Sequence, residues 1–306
     1  MEKNAVIAEN LSKSFKKVNA VKSVSFGIGK GELFGFIGPD GAGKSTLFRM
    51  LVTLLLPDEG KASISGLDVV SDFRKVRNIL GYMPGKFSLY QDLTVEQNLN
   101  FYATIFGTTV KENYHLIKDI YVQIEPFKNR LAGNLSGGMK QKLALSCALI
   151  HKPEVLVLDE PTTGVDAVSR KEFWEMLGRL KHEGITILVS TPYMDEAILC
   201  DRVALIQDGS ILRIDKPDEI TKSFGKPVFA VKSDRTHDLI LDLKSFRGVE
   251  AANLFGNQVH VVMNNSDVDA GQITTFLKEK GQTSLDVREI EAGIEDCFID
   301  LMINKS

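Results

Sequence analysis

The pattern of apolar and polar positions changes character twice along the chain. It opens with strand-like runs over residues 5–9 and 21–28, the second entering a Gly29-Lys30-Gly31 turn. A short, wholly apolar strand over 33–37 then meets a glycine-rich loop and a helix from about Lys44 to Leu54. A Pro-Asp-Glu-Gly turn over 57–60 leads back to a strand pair near 61–67. From about Lys86 to Leu135 the spacing is helical. One helix opens at Glu96-Gln97-Asn98, another spans 110–124, and a third spans 139–150. Residues 155–158 and 185–189 are continuous apolar runs followed by polar residues, which suits parallel strands buried on both faces. Between them Phe173, Met176, Leu177 and Leu180 share one face of a helix over 168–180.

After Gly225-Lys226-Pro227 the pattern shifts again. Strands are predicted over 227–232, 250–255, 258–263 and 284–290, with helices over 238–245 and 268–280. Gly256-Asn257 between two alternating runs signals a hairpin. The order β-α-β-β-α-β is ferredoxin-like, and a last helix over 294–304 closes the chain. The expected division is a large α/β domain, 1–225, and a small α+β domain, 226–306.

At 306 residues the chain is long enough for both cores, and 43% hydrophobic with 25% charged residues is ordinary globular composition. The formal net charge of −3 argues against a basic, polyanion-binding protein, so no nucleic-acid partner is expected. Cys147, Cys200 and Cys297 lie far apart without a CxxC, and read as buried thiols rather than metal ligands. The five histidines are scattered, and none is assigned to catalysis. Charges interrupt the N-terminal stretch where a signal peptide needs its apolar run. No apolar run approaches the ~18 residues that span a bilayer. A soluble chain is expected, with any membrane role reached through a partner.

Three segments carry chemistry. Gly38-Pro39-Asp40-Gly41-Ala42-Gly43-Lys44-Ser45 fits G-x-x-x-x-G-K-S/T between a strand and a helix. Its glycines let backbone N–H groups approach phosphates, and the following helix points its positive end at them. Lys44 is placed to neutralise the terminal phosphates of ATP and Ser45 to offer its hydroxyl to Mg²⁺, with Thr46 next to it on the helix. Asp159 and Glu160 end the apolar strand beginning at Val155. Asp159 suits the Mg²⁺ role and Glu160 that of general base on the attacking water. The third segment, Leu135-Ser136-Gly137-Gly138-Met139-Lys140-Gln141, is a second serine-glycine helix start. One nucleotide does not need two such helix starts from one chain, so this one is read as serving a nucleotide held by another subunit.

With these segments in this order, followed by Gly164-Val165-Asp166, the chain resembles the ABC ATPase family over about residues 5–215. The resemblance implies a P-loop NTPase nucleotide-binding domain with a RecA-like core, an antiparallel β subdomain and a helical subdomain. It further implies a head-to-tail dimer, with each ATP held between one subunit's phosphate loop and the other's Ser136-Gly137-Gly138. Asp166 would line that seam, and Phe15 falls where the family stacks an aromatic on adenine, although by its strand context alone it reads equally as a core strand residue. The partners implied are transmembrane transporter subunits and a second ABC ATPase subunit, at the cytoplasmic face of the membrane. Thr162-Thr163-Gly164-Val165-Asp166 and Ser190-Thr191-Pro192-Tyr193-Met194-Asp195-Glu196-Ala197 resemble the multidrug and antibiotic export branch. That branch often carries a small C-terminal domain ending much like Ile294-Glu295-Asp296-Cys297-Phe298. Two rival readings remain: a non-transport ABC ATPase, and a weakly hydrolysing regulatory ATP-binding subunit.

Two positions depart from the family pattern. Gly85 stands where the family has a glutamine that reaches Mg²⁺ and the attacking water, and Pro192 where it has a histidine that donates to the γ-phosphate. Glycine has no side chain, and proline has no donor on side chain or backbone. The adjacent side chains able to reach in are Lys86 and Tyr193. The residues predict sound ATP binding, weak turnover at this chain's own site and a competent Ser136-Gly137-Gly138 for a neighbour.

Overall fold

A computed structural model describes residues 4–264 and 267–304. The chain forms two compact units, the first ending at Lys216 and the second beginning at Pro217. In the first, an antiparallel hairpin of β1 (Val6–Phe15) and β2 (Val18–Ile28) precedes β3 (Leu33–Ile37) and α1 (Lys44–Leu51). Then follow β4 (Glu59–Ile64), β5 (Leu67–Asp68), α2 (Phe73–Ile79) and β6 (Leu80–Met83). The helical part is α3 (Val95–Ile105), α4 (Val110–Tyr121) and α5 (Gly137–Leu149). The unit closes with β7 (Val155–Asp159), α6 (Ala167–His182), β8 (Thr186–Thr191), β9 (Arg202–Gln207) and β10 (Ser210–Asp215).

The central sheet has the order β10-β9-β3-β8-β7-β6, parallel except for β10, and a second, antiparallel sheet has the order β2-β1-β4-β5. Strands β3, β7 and β8 are buried along their whole length, which is why they read as unbroken apolar runs. Helix α1 lies on the core side of β3: Phe36 and Phe48 meet edge to face at 5.4 Å, and Phe26 meets Phe36 at 5.1 Å. Helices α3 and α4 begin at reciprocal capping boxes, Thr94 with Gln97 and Thr109 with Glu112. Helix α1 stops at Leu51, short of the predicted Leu54, because Thr53 takes φ 64° and Leu54 turns out to solvent. β6 and the β9–β10 hairpin are not among the strands the pattern predicts. β6 is only four residues long, and its Gly81 dilutes the strand signal.

The second unit contains α7 (Pro217–Lys222), β11 (Val228–Lys232), α8 (Thr236–Lys244), β12 (Val249–Phe255), β13 (Gln258–Met263), α9 (Ala270–Glu279), β14 (Asp286–Ile290) and α10 (Ile294–Asn304). Its sheet is antiparallel in the order β12-β13-β11-β14, a β-α-β-β-α-β ferredoxin-like arrangement. The expected boundary at residue 225 falls inside this unit. Helix α7 belongs to it because α7 packs on α10, where the Cys297 thiol lies 3.7 Å from the Ile220 carbonyl. Cys147, Cys200 and Cys297 are all buried. No helix among the described residues is long and apolar enough to cross a membrane.

Each unit has its own core, with Phe36 and Phe48 in one and Phe229 and Val261 in the other. A chain ending at Lys216 is therefore expected to unfold cooperatively and to bind ATP within about threefold of the full chain, a shift under ~0.7 kcal/mol. Calorimetry on the truncated and full chains measures both, and loss of binding in a folded truncation would contradict the division.

Candidate active site: a nucleotide cleft at the phosphate loop

The loop from Gly38 to Gly43 joins β3 to α1, and its path is dictated by neighbouring backbone. A Cβ on Gly38 would stand 2.1 Å from the Ile206 carbonyl oxygen, and one on Gly43, which has φ 101°, 2.3 Å from that of Ala20. Only glycine fits either place. The Gly38 N–H donates to the Thr191 carbonyl at 3.3 Å, and the Gly209 N–H to the Ala42 carbonyl at 3.0 Å. The loop is thus fixed against β2, the end of β8 and the β9–β10 turn. The first turn of α1 then presents backbone N–H groups to an anion.

Lys44 is 3% exposed. Its ammonium donates to the carbonyls of Gly38 at 2.8 Å and Pro39 at 3.0 Å, and lies 3.3 Å from Glu160 Oε1. A buried ammonium needs such partners. Asp159, at the end of β7, is 4% exposed and accepts from Ser45 Oγ at 3.1 Å and from Ser190 Oγ at 2.6 Å. Burial and the nearby Asp159 charge push the Tyr82 phenol up to about 12. Glu160 takes φ 48°, a conformation costly for a residue with a side chain, and its N–H donates to both Ser190 O (3.1 Å) and Ser190 Oγ (3.0 Å). The phosphate loop, Ser45, Asp159 and Glu160 therefore meet at one point.

The loop, Ser45 and Glu160 border an open cleft of about 580 Å³ lined by Gly41, Ala42, Gly43, Lys44, Ser45, Thr46 and Glu160, with Val18, Asn19, Ala20, Lys22, Asp208 and Gly209 on the other wall. Gly38 and Pro39 contribute carbonyls behind the loop, and Asp40 is exposed at its tip. Phe15 is 46% exposed, so it is not a core strand residue. It pairs with Val18 at the end of the β1–β2 hairpin, beside the cleft rather than lining it. The wall formed by Asn19, Lys22 and Asp208-Gly209 was not legible from motifs. Nor was Ser190, which holds both Asp159 and Glu160. Long-range pairing brings these residues here, and their local sequence carries no sign of it beyond the Asp-Gly turn.

Ser136, Gly137 and Gly138 lie elsewhere. Ser136 caps α5 by accepting from the Met139 N–H at 3.4 Å. A Cβ on Gly137 would stand 3.5 Å from the Gly164 carbonyl, and one on Gly138 3.0 Å from Ser169 Oγ. This outward-facing helix start thus sits against the loop of Asp166. Asp166 caps α6, and the backbone N–H and hydroxyl of Ser169 hold its carboxyl below the usual range.

Gly85 runs against Asp159: a Cβ there would stand 3.1 Å from the Asp159 carbonyl oxygen and 3.8 Å from Oδ2. Pro192 follows Thr191, whose carbonyl receives Gly38, so it stands beside the phosphate loop without a donor. Neither neighbour fills the gap. The Tyr193 ring lies under the Arg170 guanidinium at 5.0 Å, and Lys86 is exposed. Neither lines the cleft.

Ser45 and Asp159 form a hard-oxygen pair at 3.1 Å. Mg²⁺ takes one or two protein oxygens and draws the rest from phosphates and water, so this pair fits it. Among the described residues no group of three or more histidine, cysteine or carboxylate side chains offers a self-sufficient metal cage.

This geometry defines a P-loop nucleotide-binding domain. Residues 21–163 match the family described as ABC transporter. The chain is 38% identical over 307 aligned residues to the probable multidrug ABC transporter ATP-binding protein YbhF of Escherichia coli, covering 98% of this chain and 52% of that one. It is 33% identical to the Nod factor export ATP-binding protein I of a Rhizobium species, over 98% of both chains. Thus the chain spans about half the length of the first relative and nearly all of the second. Among solved structures it resembles an ATP-binding subunit of an ABC transporter, with TM-score 0.66, 28% identity and coverage of 72% of this chain and 93% of that one. It also resembles a dimeric ATP-binding cassette in a post-hydrolysis state with ADP and Pi, with TM-score 0.63, 26% identity, and coverage of 69% and 98%. The chain belongs to the ATP-binding proteins of ABC transporters.

Removing the Lys44 ammonium takes a donor from the Gly38 and Pro39 carbonyls and the counter-charge from Glu160. Lys44→Ala should weaken MgATP binding at least tenfold, or ~1.4 kcal/mol, with circular dichroism unchanged. Equal affinity by calorimetry would remove the cleft from the argument.

Proposed function

We propose that this chain is the ATP-hydrolysing subunit of an exporter, acting peripherally at the cytoplasmic face of the membrane. ATP-driven dimerisation would move transmembrane subunits made by other chains, with no nucleic acid involved. The observation that carries this reading is the convergence of Lys44, Ser45, Asp159 and Glu160 on the phosphate loop. Glu160 Oε1 lies 3.3 Å from the Lys44 ammonium, the group that would meet the terminal phosphate. Entry of the phosphate breaks that ion pair, moves Lys44 onto the phosphate oxygens and frees Glu160 to polarise the attacking water. Mg²⁺ held by Ser45 and Asp159 would neutralise the charge that develops on the phosphates.

Gly85 and Pro192 leave that site short of two side chains. Each missing transition-state donor typically costs on the order of 10²–10³ in rate, though such losses need not add. Ser136, Gly137 and Gly138 are intact and exposed, or nearly so, beside Asp166. The reading that follows is asymmetric: this chain pairs with a second ABC ATPase subunit, holds ATP at its own cleft and completes a faster site on its partner. Phe15, exposed at the hairpin end, would stack on the adenine. The membrane subunit has a fitting surface in an apolar groove of about 620 Å³ lined by Leu54, Tyr82, Met83, Leu89, Ile105 and Phe106.

The purified chain alone should turn over below ~1 s⁻¹, under the median of ~10 s⁻¹ for enzymes generally. Pro192→His should raise that rate. Gly85→Gln should add less, because its Cβ meets the Asp159 carbonyl. In the assembled transporter, Ser136→Ala in this chain should lower the ATPase rate. Turnover of ~1–10 s⁻¹ by the chain alone, or no effect of Ser136→Ala, would sink the asymmetric reading.

A further inference from the structure

Glu196 is 2% exposed, in the 3₁₀ segment Met194–Leu199 behind the end of β8. A carboxylate this deep persists only when paired and hydrogen-bonded. Thr162 Oγ1 donates to one oxygen at 2.8 Å, and Thr191 Oγ1 donates to the other at 2.5 Å. Arg170 Nε stands 3.7 Å from it. The two threonines belong to different loops. Thr162 follows Glu160 in the loop that ends at Asp166, the cap of α6. Thr191 precedes Pro192, and its hydroxyl also receives the Tyr193 N–H at 3.0 Å. Arg170, on α6, reaches Asp195 at 3.0 Å and covers the Tyr193 ring. On the nucleotide side the same loops are tied by the Glu160 N–H on Ser190.

We propose that Glu196 is a positioning residue of the hydrolytic site, locking the loop of Glu160 to the Thr191–Tyr193 turn so that the two move as one body. The proposal rests on the ATPase reading of the cleft. Glu196 does not line the cleft and acts through the threonines. Two features of the site call for such a lock. Pro192 has no donor, so gripping a ligand does not order this turn, and its order must come from behind. Glu160 holds φ 48°, a backbone conformation kept only where the surroundings over-determine it. The Thr163 N–H on the Glu160 carbonyl, at 3.2 Å, and Thr162 on Glu196 are part of that restraint.

Two measurements test it. In hydrogen exchange on the nucleotide-free full chain, Thr191→Val should speed exchange about tenfold, the worth of one charge-assisted hydrogen bond. The faster exchange should reach Tyr193 and also the amides of residues 162–166, and faster exchange confined to the turn would overturn the lock. In steady state, Glu196→Ala should lower kcat about 10- to 100-fold, the scale of a ~1 Å misplacement, with KM for ATP within about threefold. Glu196→Gln, which keeps an acceptor and the same shape, should recover most of the loss. Unchanged kcat, or a loss carried by KM, would overturn the role. If Glu196→Ala does not fold, Thr162→Val decides by the same split between kcat and KM. Failure of the unaltered chain to bind ATP would instead defeat the ATPase reading, and the exchange experiment would still decide the lock.

Discussion

The structure depends on one constraint: a backbone loop must run close enough to its neighbours to hold its shape while keeping its N–H groups turned toward an anion. Gly38 presses on the Ile206 carbonyl and Gly43 on that of Ala20, at separations a Cβ would not allow. Those contacts fix where β9 and β2 stand relative to β3. β8 is fixed in turn, since its last carbonyl receives Gly38. The buried aromatic cluster of Phe26, Phe36 and Phe48 then holds α1 under the loop. The parallel sheet is therefore a frame for a phosphate pocket, with its acidic strand end delivered at the carboxyl edge where ligands of α/β sheets bind.

Charge is arranged on that frame as a balance that a nucleotide upsets. Lys44 is satisfied by two carbonyls and by Glu160, while Asp159 is satisfied by two hydroxyls. Both of these buried charges are thus paired, and in the proposed reaction the phosphates would replace Glu160 as partner of the lysine. Gly85 runs against Asp159 and Pro192 follows the residue that receives Gly38, and neither lines the cleft, so the loss we propose for them falls on turnover rather than on binding.

Much of this was legible in the sequence, and the reason is local. The phosphate loop, the strand ending in Asp159-Glu160 and the Ser136 cap each need particular residue types within a few positions of one another. The ferredoxin-like order could be read because its strands alternate and Gly256-Asn257 marks the turn. What escaped depends on distant parts of the chain. Ser190 looks like any polar residue after a buried strand, yet it orients both acids from β8. The Asn19, Lys22 and Asp208-Gly209 wall comes from β2 and the β9–β10 turn, whose juxtaposition no motif records. The domain boundary moved because α7 packs on α10, a contact across most of the second unit. Phe15 was ambiguous between core and ligand contact on sequence, and its exposure excludes the first.

The central claim is that this cleft binds ATP well and cleaves it slowly. The direct test is to load the purified chain with Mg²⁺ and α-labelled ATP, strip free nucleotide by rapid gel filtration, and read the bound nucleotide after several minutes. The account predicts that most of the retained label is still ATP. Retained label that is mostly ADP would contradict it.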